Sequence, residues 1–437
     1  MLPEFVLNSK FQYHLLMLKD AKVKNFSLVT PPSFQCYDCT GCGACCGGVF
    51  YVTVTPEEQE RIKGQQWADD PEMAGVELFR RHDGRTVVNN RADGPCVFQN
   101  EKGLCRIHAK FGEAAKPLPC RLFPFMFNPL GKQVRLDLRF DCPTVAGSKG
   151  RAIPGHRQAL LELLPLALPE STGEIAPAPF YDRIKLSWPQ LCRITECFES
   201  IIVIPDLDIT RKLLACVNMA ALLRTPRLAD MEGRKLSEFL KVVTDKVVEA
   251  ARADLLPRAP ANLGARQLFR QLLATYGRDD RINAPVNSIE RMKNSFNMIM
   301  GFGVVPALYP DFPTVTFWEL DESFGIPDAA AAAALERYFH MRFTSLAFFG
   351  PFFFGRSYLE GLNSLLLTAP FILWFARVDA LGRKLTHIDA QAMERGIQIV
   401  DRRHGRIPFF KVPSEQFRLR YLADRATLRS LLVWYGS

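Results

Sequence analysis

Between residues 36 and 48 the chain reads Cys36-Tyr37-Asp38-Cys39-Thr40-Gly41-Cys42-Gly43-Ala44-Cys45-Cys46-Gly47-Gly48. Cysteines recur at a spacing of three residues three times, and then two sit side by side. Two thiolates three positions apart can grip one ion when the turn between them is tight. Gly41, Gly43, Gly47 and Gly48 permit the backbone angles such a turn needs. The adjacent pair cannot point the same way, so either Cys45 and Cys46 serve two sites or one binds while the other packs inward. A segment of this kind is organised by what its sulfurs hold.

Four further cysteines lie beside turn-forming residues: Asp93-Gly94-Pro95-Cys96, Lys102-Gly103-Leu104-Cys105, Pro117-Leu118-Pro119-Cys120 and Asp141-Cys142-Pro143. Cysteines on turns are presented rather than packed. Of the twelve in the chain, nine fall in the first 142 residues. The other three, Cys192, Cys197 and Cys216, sit among helical apolar residues and are read as core. His108, three residues after Cys105, is either a further ligand or a half-buried ring. Eight thiolates suit two tetrahedral zinc ions with one cysteine left over. Four suit an iron–sulfur cluster, with the rest forming a second site. Spacing does not choose between these metals.

The compartment bears on this. The apolar run Leu15 to Leu18 is too short for the core of an export signal, and Lys10 and Lys19 flank it closely. The chain is therefore expected to be cytoplasmic, where clustered thiols hold metal more often than they form disulfides. The net charge of +9 is spread along the chain and no basic run occurs, so nucleic acid is not expected as a partner.

Beyond the cysteines the pattern changes. Residues 1–30 form an apolar arm leading to Pro31-Pro32. Phe50 to Thr55 reads as a strand, and Thr55-Pro56-Glu57-Glu58 as a helix start. Thr86-Val87-Val88 and Val134 to Phe140 are further strands, the latter alternating Val134, Leu136, Leu138, Phe140 with Arg135, Asp137, Arg139. Prolines 165, 169, 177, 179 and 189 mark a boundary. After it come helical stripes: Phe239, Leu240, Val243, Val247, Ala250 after Ser237; Leu268, Phe269, Leu272, Leu273, Tyr276 ending at Gly277; and Ile289, Met292, Phe296, Ile299. Asp328 caps an alanine run, and Thr386-His387-Ile388-Asp389 resembles a capping box. Ser357 to Ala376 has nearly the length of a membrane span but carries Glu360, Asn363 and Pro370, so a buried helix is expected and no span. Tyr338, His340 and the aromatic turn Phe348 to Phe354 read as interior. Asp401-Arg402-Arg403-His404 reads as a basic helix end suited to the helix dipole.

The pieces Cys39-Thr40-Gly41-Cys42-Gly43-Ala44-Cys45-Cys46, Gly94-Pro95-Cys96-Val97-Phe98, Gly103-Leu104-Cys105-Arg106-Ile107-His108 and Lys116-Pro117-Leu118-Pro119-Cys120-Arg121-Leu122-Phe123-Pro124 resemble the YkgJ-type cysteine-cluster family, which chelates zinc or iron. The resemblance implies eight metal-binding positions: Cys39, Cys42, Cys45, Cys46, Cys96, Cys105, Cys120 and Cys142, with Cys36 an extra. It covers about residues 34–145. In length and in its helical second half the chain resembles the longer branch of that family, flagellin lysine N-methylase. That likeness implies S-adenosylmethionine as cofactor and a lysine-bearing protein such as flagellin as substrate. The residues themselves show no route to that cofactor. No glycine-rich turn joins a strand to a helix, since Gly301-Phe302-Gly303 lacks a third glycine. A radical-type cysteine triplet fails because Val49 stands where Cys42 and Cys46 would need a third sulfur.

The expected architecture is α+β. A small cysteine-rich, metal-organised N-terminal module spans residues 1–150, and a mostly α-helical domain spans residues 151–437. The expected function is binding of zinc or an iron–sulfur cluster, within either a protein-lysine N-methylase or a non-catalytic module for metal handling or partner scaffolding.

Overall fold

The fold comes from a computed structural model that describes residues 27–31, 33–47, 50–67, 70–168, 175–278, 288–407 and 411–436. The apolar arm up to residue 26, Pro32, Gly48 and Pro169 lie outside the described residues.

Five strands form in the first third: β1 Ser27–Val29, β2 Phe79–His82, β3 Arg85–Val88, β4 Phe125–Leu130 and β5 Gln133–Leu138. β2 and β3 are an antiparallel hairpin. Its two turn residues, Asp83 and Gly84, both take positive φ, the geometry that matches strand twist. β4 and β5 form a second hairpin around Gly131, and β1 adds to β5 in parallel, giving the order β1-β5-β4. Phe50 to Thr55 was expected as a strand. It runs beside β3, with Val54 N–H donating to Thr86 O (3.1 Å) and Val88 N–H to Val52 O (2.8 Å), yet only Thr53 makes a bridge. The proline-started helix that follows cuts the pairing short.

The short helices of this third are α1 Pro56–Lys63, α2 Arg106–Phe111, α3 Leu118–Leu122 and α4 Pro143–Ala146. Thr55 and Glu58 close a full capping box on α1, as the sequence indicates. The rest of the chain is helical: α5 Arg157–Ala167, α6 Trp188–Ile202, α7 Ile209–Leu222, α8 Gly233–Ala253, α9 Leu263–Gly277, α10 Ser288–Met300 and α11 Phe317–Asp321. It continues with α12 Ala329–Ser345, α13 Tyr358–Leu366, α14 Thr368–Gly382, α15 Ala390–Arg403, α16 Pro413–Leu422 and α17 Arg425–Gly436. Asp328 caps α12 through Ala331 N–H (2.7 Å), and α9 ends at Gly277. The cap of α15 is Asp389, not Thr386; its carboxylate accepts from Ala392 N–H at 2.9 Å.

Two apolar cores divide this material. The smaller joins Val52, Val54, Ile62, Trp67, Met73, Val88, Val97, Phe98 and Ile107, with Cys96, Cys105 and Cys120 packed against it. The larger takes the helices together with β1, β4 and β5. Tyr358–Gly382 is long and apolar enough to cross a membrane by length and composition, but 83% of its most apolar window is buried inside this core. Pro370 sits in the first turn of α14, where its missing N–H costs nothing. The buried Arg377 donates to the carbonyls of Leu320, Glu322 and Trp434 at 2.9–3.1 Å.

Candidate metal centre

Gly43 sets the first turn. Its φ of +71° is left-handed, and Cys46 N–H closes back on its carbonyl at 2.9 Å. A Cβ at Gly43 would fall 2.3 Å from Gly103 O, so the first cysteine loop lies directly on the 99–105 turn. Gln99 stitches the two together: its Nε2 donates to Gly43 O (3.2 Å) and Gly103 O (3.0 Å). Cys96 N–H donates to Cys46 O at 2.8 Å, and Cys105 bridges to Gln99. Cys120 arrives on α3, whose Leu118 N–H donates to Glu58 Oε1 at 2.7 Å. Four segments distant in sequence thus bring Cys45, Cys46, Cys96, Cys105 and Cys120 to one edge of the smaller core.

These five sulfurs act on one another. Cys45 Sγ and Cys46 Sγ are 3.9 Å apart. Cys46 keeps its proton, shared towards Cys105 and Cys45, and its thiol is held high. The hydrogen bond from Cys46 outweighs burial and lowers Cys45 to about 7, with help from the Lys116 ammonium. A separate hydrogen bond between Cys46 and Cys105, with the amides of His108 and Ile107, lowers Cys105 to about 6. Burial pushes Cys96 up to about 12 and raises Cys120, both also repelled by the sulfur charges around them. The group therefore offers thiolates at neutral pH beside thiols that a cation would deprotonate.

Cys142 belongs to a second group. It is buried at the start of α4, and burial raises its thiol to about 11, with Cys42 and Asp141 adding to the rise. Cys39 and Cys42 are exposed. Thr40 Oγ1 meets Thr144 Oγ1 at 3.0 Å, tying their loop to α4. The buried ring of Tyr37 stands between the groups: burial raises its hydroxyl, and Cys39, Cys142 and Cys45 all add to the shift. Cys36 stands apart, with its N–H on Ser148 Oγ (2.9 Å) and its sulfur near Arg337. His108 is exposed on α2. Cys216 is buried; Cys192 and Cys197 are half-buried against the larger core, so all three stay with the apolar reading.

The donor chemistry fits zinc or iron: soft sulfur, several groups per site, and one nearby cation to offset surplus charge. The sulfurs gather without converging, however. Among the described residues no group of three or more Cys, His, Asp or Glu side chains stands close enough together to hold a metal ion.

A second buried feature was missed. The alternation of Arg135, Asp137 and Arg139 with apolar residues left open what covers their face; Asp137 is 0% exposed, and Arg139 and Asp141 are also buried. Arg342 on α12, 6% exposed, pairs with both Asp137 and Asp401. Arg139 Nε donates to Asp141 Oδ1 at 3.0 Å, and Arg406 reaches Asp401 at 3.1 Å. Asp401 Oδ2 also accepts from Phe140 N–H (2.7 Å) and Asp141 N–H (3.2 Å), the two residues before Cys142. Burial opposes its charge, but Arg342 and Arg406 win and hold its carboxyl at about 2. At Asp137 the same contest goes to burial, which raises it. His404, expected as part of a basic helix end, is half-buried; its Nδ1 meets Tyr276 OH at 2.9 Å, and loss of solvent around the ring depresses it to about 3. The signal available was that a strand alternating charges of both signs faced helices carrying the complement.

A family model described as "Putative zinc- or iron-chelating domain", of the CxxCxxCC type, matches residues 38–143. That stretch holds all eight expected ligand positions and excludes Cys36. It is about a quarter of the chain, so the likeness speaks for the cysteine module. No curated protein and no solved structure matches the chain.

Proposed function

We propose that the cysteine module holds zinc or an iron–sulfur centre through thiolates. Cys45, Cys46, Cys96, Cys105 and Cys120 supply one ligand set, and Cys39, Cys42 and Cys142 contribute to a second. The observation that carries this reading is the meeting of five sulfurs from four distant segments at one edge of a small core. A core of that size gains folding energy from an ion it would otherwise lack. Bound there, the ion supplies cross-linking of the loops and, if iron, a redox couple. Metal analysis with an absorption spectrum of protein purified without oxygen tests it. At least one zinc or iron per chain is expected, colourless for zinc and brown with absorbance near ~400 nm for iron–sulfur. Less than one ion per chain overturns the proposal.

A finer reading makes the whole chain a cytoplasmic, S-adenosylmethionine-dependent lysine N-methylase acting on a protein such as flagellin. It is favoured by one feature, the joining of the cysteine module to a helical half far larger than chelation requires. Equilibrium dialysis of the metal-loaded protein with S-adenosylmethionine decides between this and a non-catalytic role in metal handling or scaffolding. Retained cofactor supports the enzyme, and none overturns it.

A further inference from the structure

Helix α10 is turned inside out. Its polar residues Asn294 and Asn297 are half-buried, while Met292, Phe296 and Met300 face solvent at 70%, 61% and 43% exposure. The sequence stripe of Ile289, Met292, Phe296 and Ile299 is thus a helix face, as expected, but Met292 and Phe296 point outward, and the buried residue is Met298. The apolar surface continues past the helix end. Phe302 is 78% exposed, and Trp318 is 70% exposed. Their segments are held side by side, because Val305 N–H donates to Val315 O (2.9 Å) and Phe317 N–H to Gly303 O (3.0 Å). One strip of Met, Phe and Trp residues therefore runs along α10 and onto the start of α11. Those residue types dominate the buried centres of protein interfaces.

The chain carries its own complement. Eleven of its first eighteen residues are Met, Leu, Val, Phe or Tyr, Phe5, Phe11, Leu15 and Leu18 among them, against only two charges, Glu4 and Lys10. That composition has neither the low hydrophobicity nor the high net charge that keeps a segment from burying its surface. It precedes β1, and 26 residues reach as far as about 85 Å, against a radius of gyration of about 22 Å for a compact chain of this length. Tethering also sets an effective concentration in the millimolar range. A lipid surface would call for a polybasic flank, whereas α10 carries Arg291 and Lys293 beside Glu290 and no basic run.

We propose that the N-terminal arm, residues 1–26, docks on the strip formed by α10 and the start of α11. The test compares the full metal-loaded chain with the same chain lacking residues 1–20, by hydrogen exchange of the 288–304 peptide. Removal of the arm is expected to speed that exchange at least fivefold. Leu15→Asp combined with Leu18→Asp, which keeps the arm's length, is expected to do the same, and it decides if the truncated chain fails to fold. A photo-reactive benzoylphenylalanine replacing Phe296 is expected to cross-link to a peptide from residues 1–20 of the same molecule. Unchanged exchange in both variants overturns the proposal. So does a Phe296→Asp chain that turns from dimer to monomer, which would assign the strip to a second copy. Loss in that variant of binding to phosphatidylcholine–phosphatidylglycerol vesicles would assign it to lipid and overturn the proposal equally.

Discussion

Around Cys46 the chain gathers sulfur on turns, and around Arg342 it gathers charge on a strand and two helices. The first cluster is half open and depends on left-handed glycines and one glutamine side chain for its shape. The second is sealed, and every partner is carried by a rigid element or its immediate end. The difference teaches what each can do without. Paired buried charges are satisfied by the fold itself and need nothing from outside. Gathered thiols repel once charged, so their arrangement is complete only with a cation between them.

Stripping the metal should break that contrast most visibly. Chelation, or Cys105→Ser, is expected to remove the melting transition of the cysteine module while leaving that of the helices. Metal binding supplies about 10 kcal/mol or more in small zinc-bound peptides. A module that melts unchanged after complete metal removal would place both clusters in the same class. Cys197→Ser should leave metal content untouched, because Cys197 packs on the larger core.

The charge cluster should fail differently. Arg342→Met leaves Asp137 buried without its guanidinium and Asp401 with Arg406 alone, and a loss of about 3–5 kcal/mol is expected in the denaturant stability of the helical half. Metal content of the five-sulfur group should hold. A loss under about 1 kcal/mol would mean the cluster is far wetter than its burial indicates.

Gly43→Ala sharpens the comparison from the sulfur side. The new Cβ meets Gly103 O in a backbone conformation that costs about 1 kcal/mol or more for other residues. The cysteine module should lose about 2 kcal/mol and part of its metal, with the helices indifferent.

A further effect concerns pH. His404 is held near 3 by burial, whereas in the unfolded chain it titrates near its ordinary value of about 6.5. Between those values the unfolded chain binds a proton that the folded one refuses. Stability therefore rises with pH across this window, and it is lost progressively as pH falls below about 6.5. His404→Gln should flatten the slope of urea midpoint against pH between 6 and 4. Asp401, held at about 2, adds its own loss only below about 3.8, so the slope between pH 6 and 4 belongs to His404 and not to Asp401.

Much of this was legible in the chain. The capping box at Thr55 and Glu58, the cap at Asp328 and the stop at Gly277 are local signals, and local signals survive folding. The cysteine module was legible because turn residues beside each cysteine fix its presentation. The division of the sulfurs was not, since it depends on Gln99 and Gly43 bringing the 43–46 and 99–105 turns into contact. The burial of Asp137 was not legible for a similar reason: alternation in a strand says which residues share a face, not whether a helix covers that face. The outward face of α10 has the same origin, because helical period identifies a stripe without saying what lies opposite.

Asp401 receives the amide hydrogens of Phe140 and Asp141, and the next residue is Cys142. A fragment cut at residue 150 would keep Cys142 yet forfeit the carboxylate that steadies the backbone leading into it. Such a fragment is expected to keep metal at the proposed five-sulfur group and lose it from the proposed Cys39, Cys42 and Cys142 group, which would tie that second group to a helix more than 250 positions downstream.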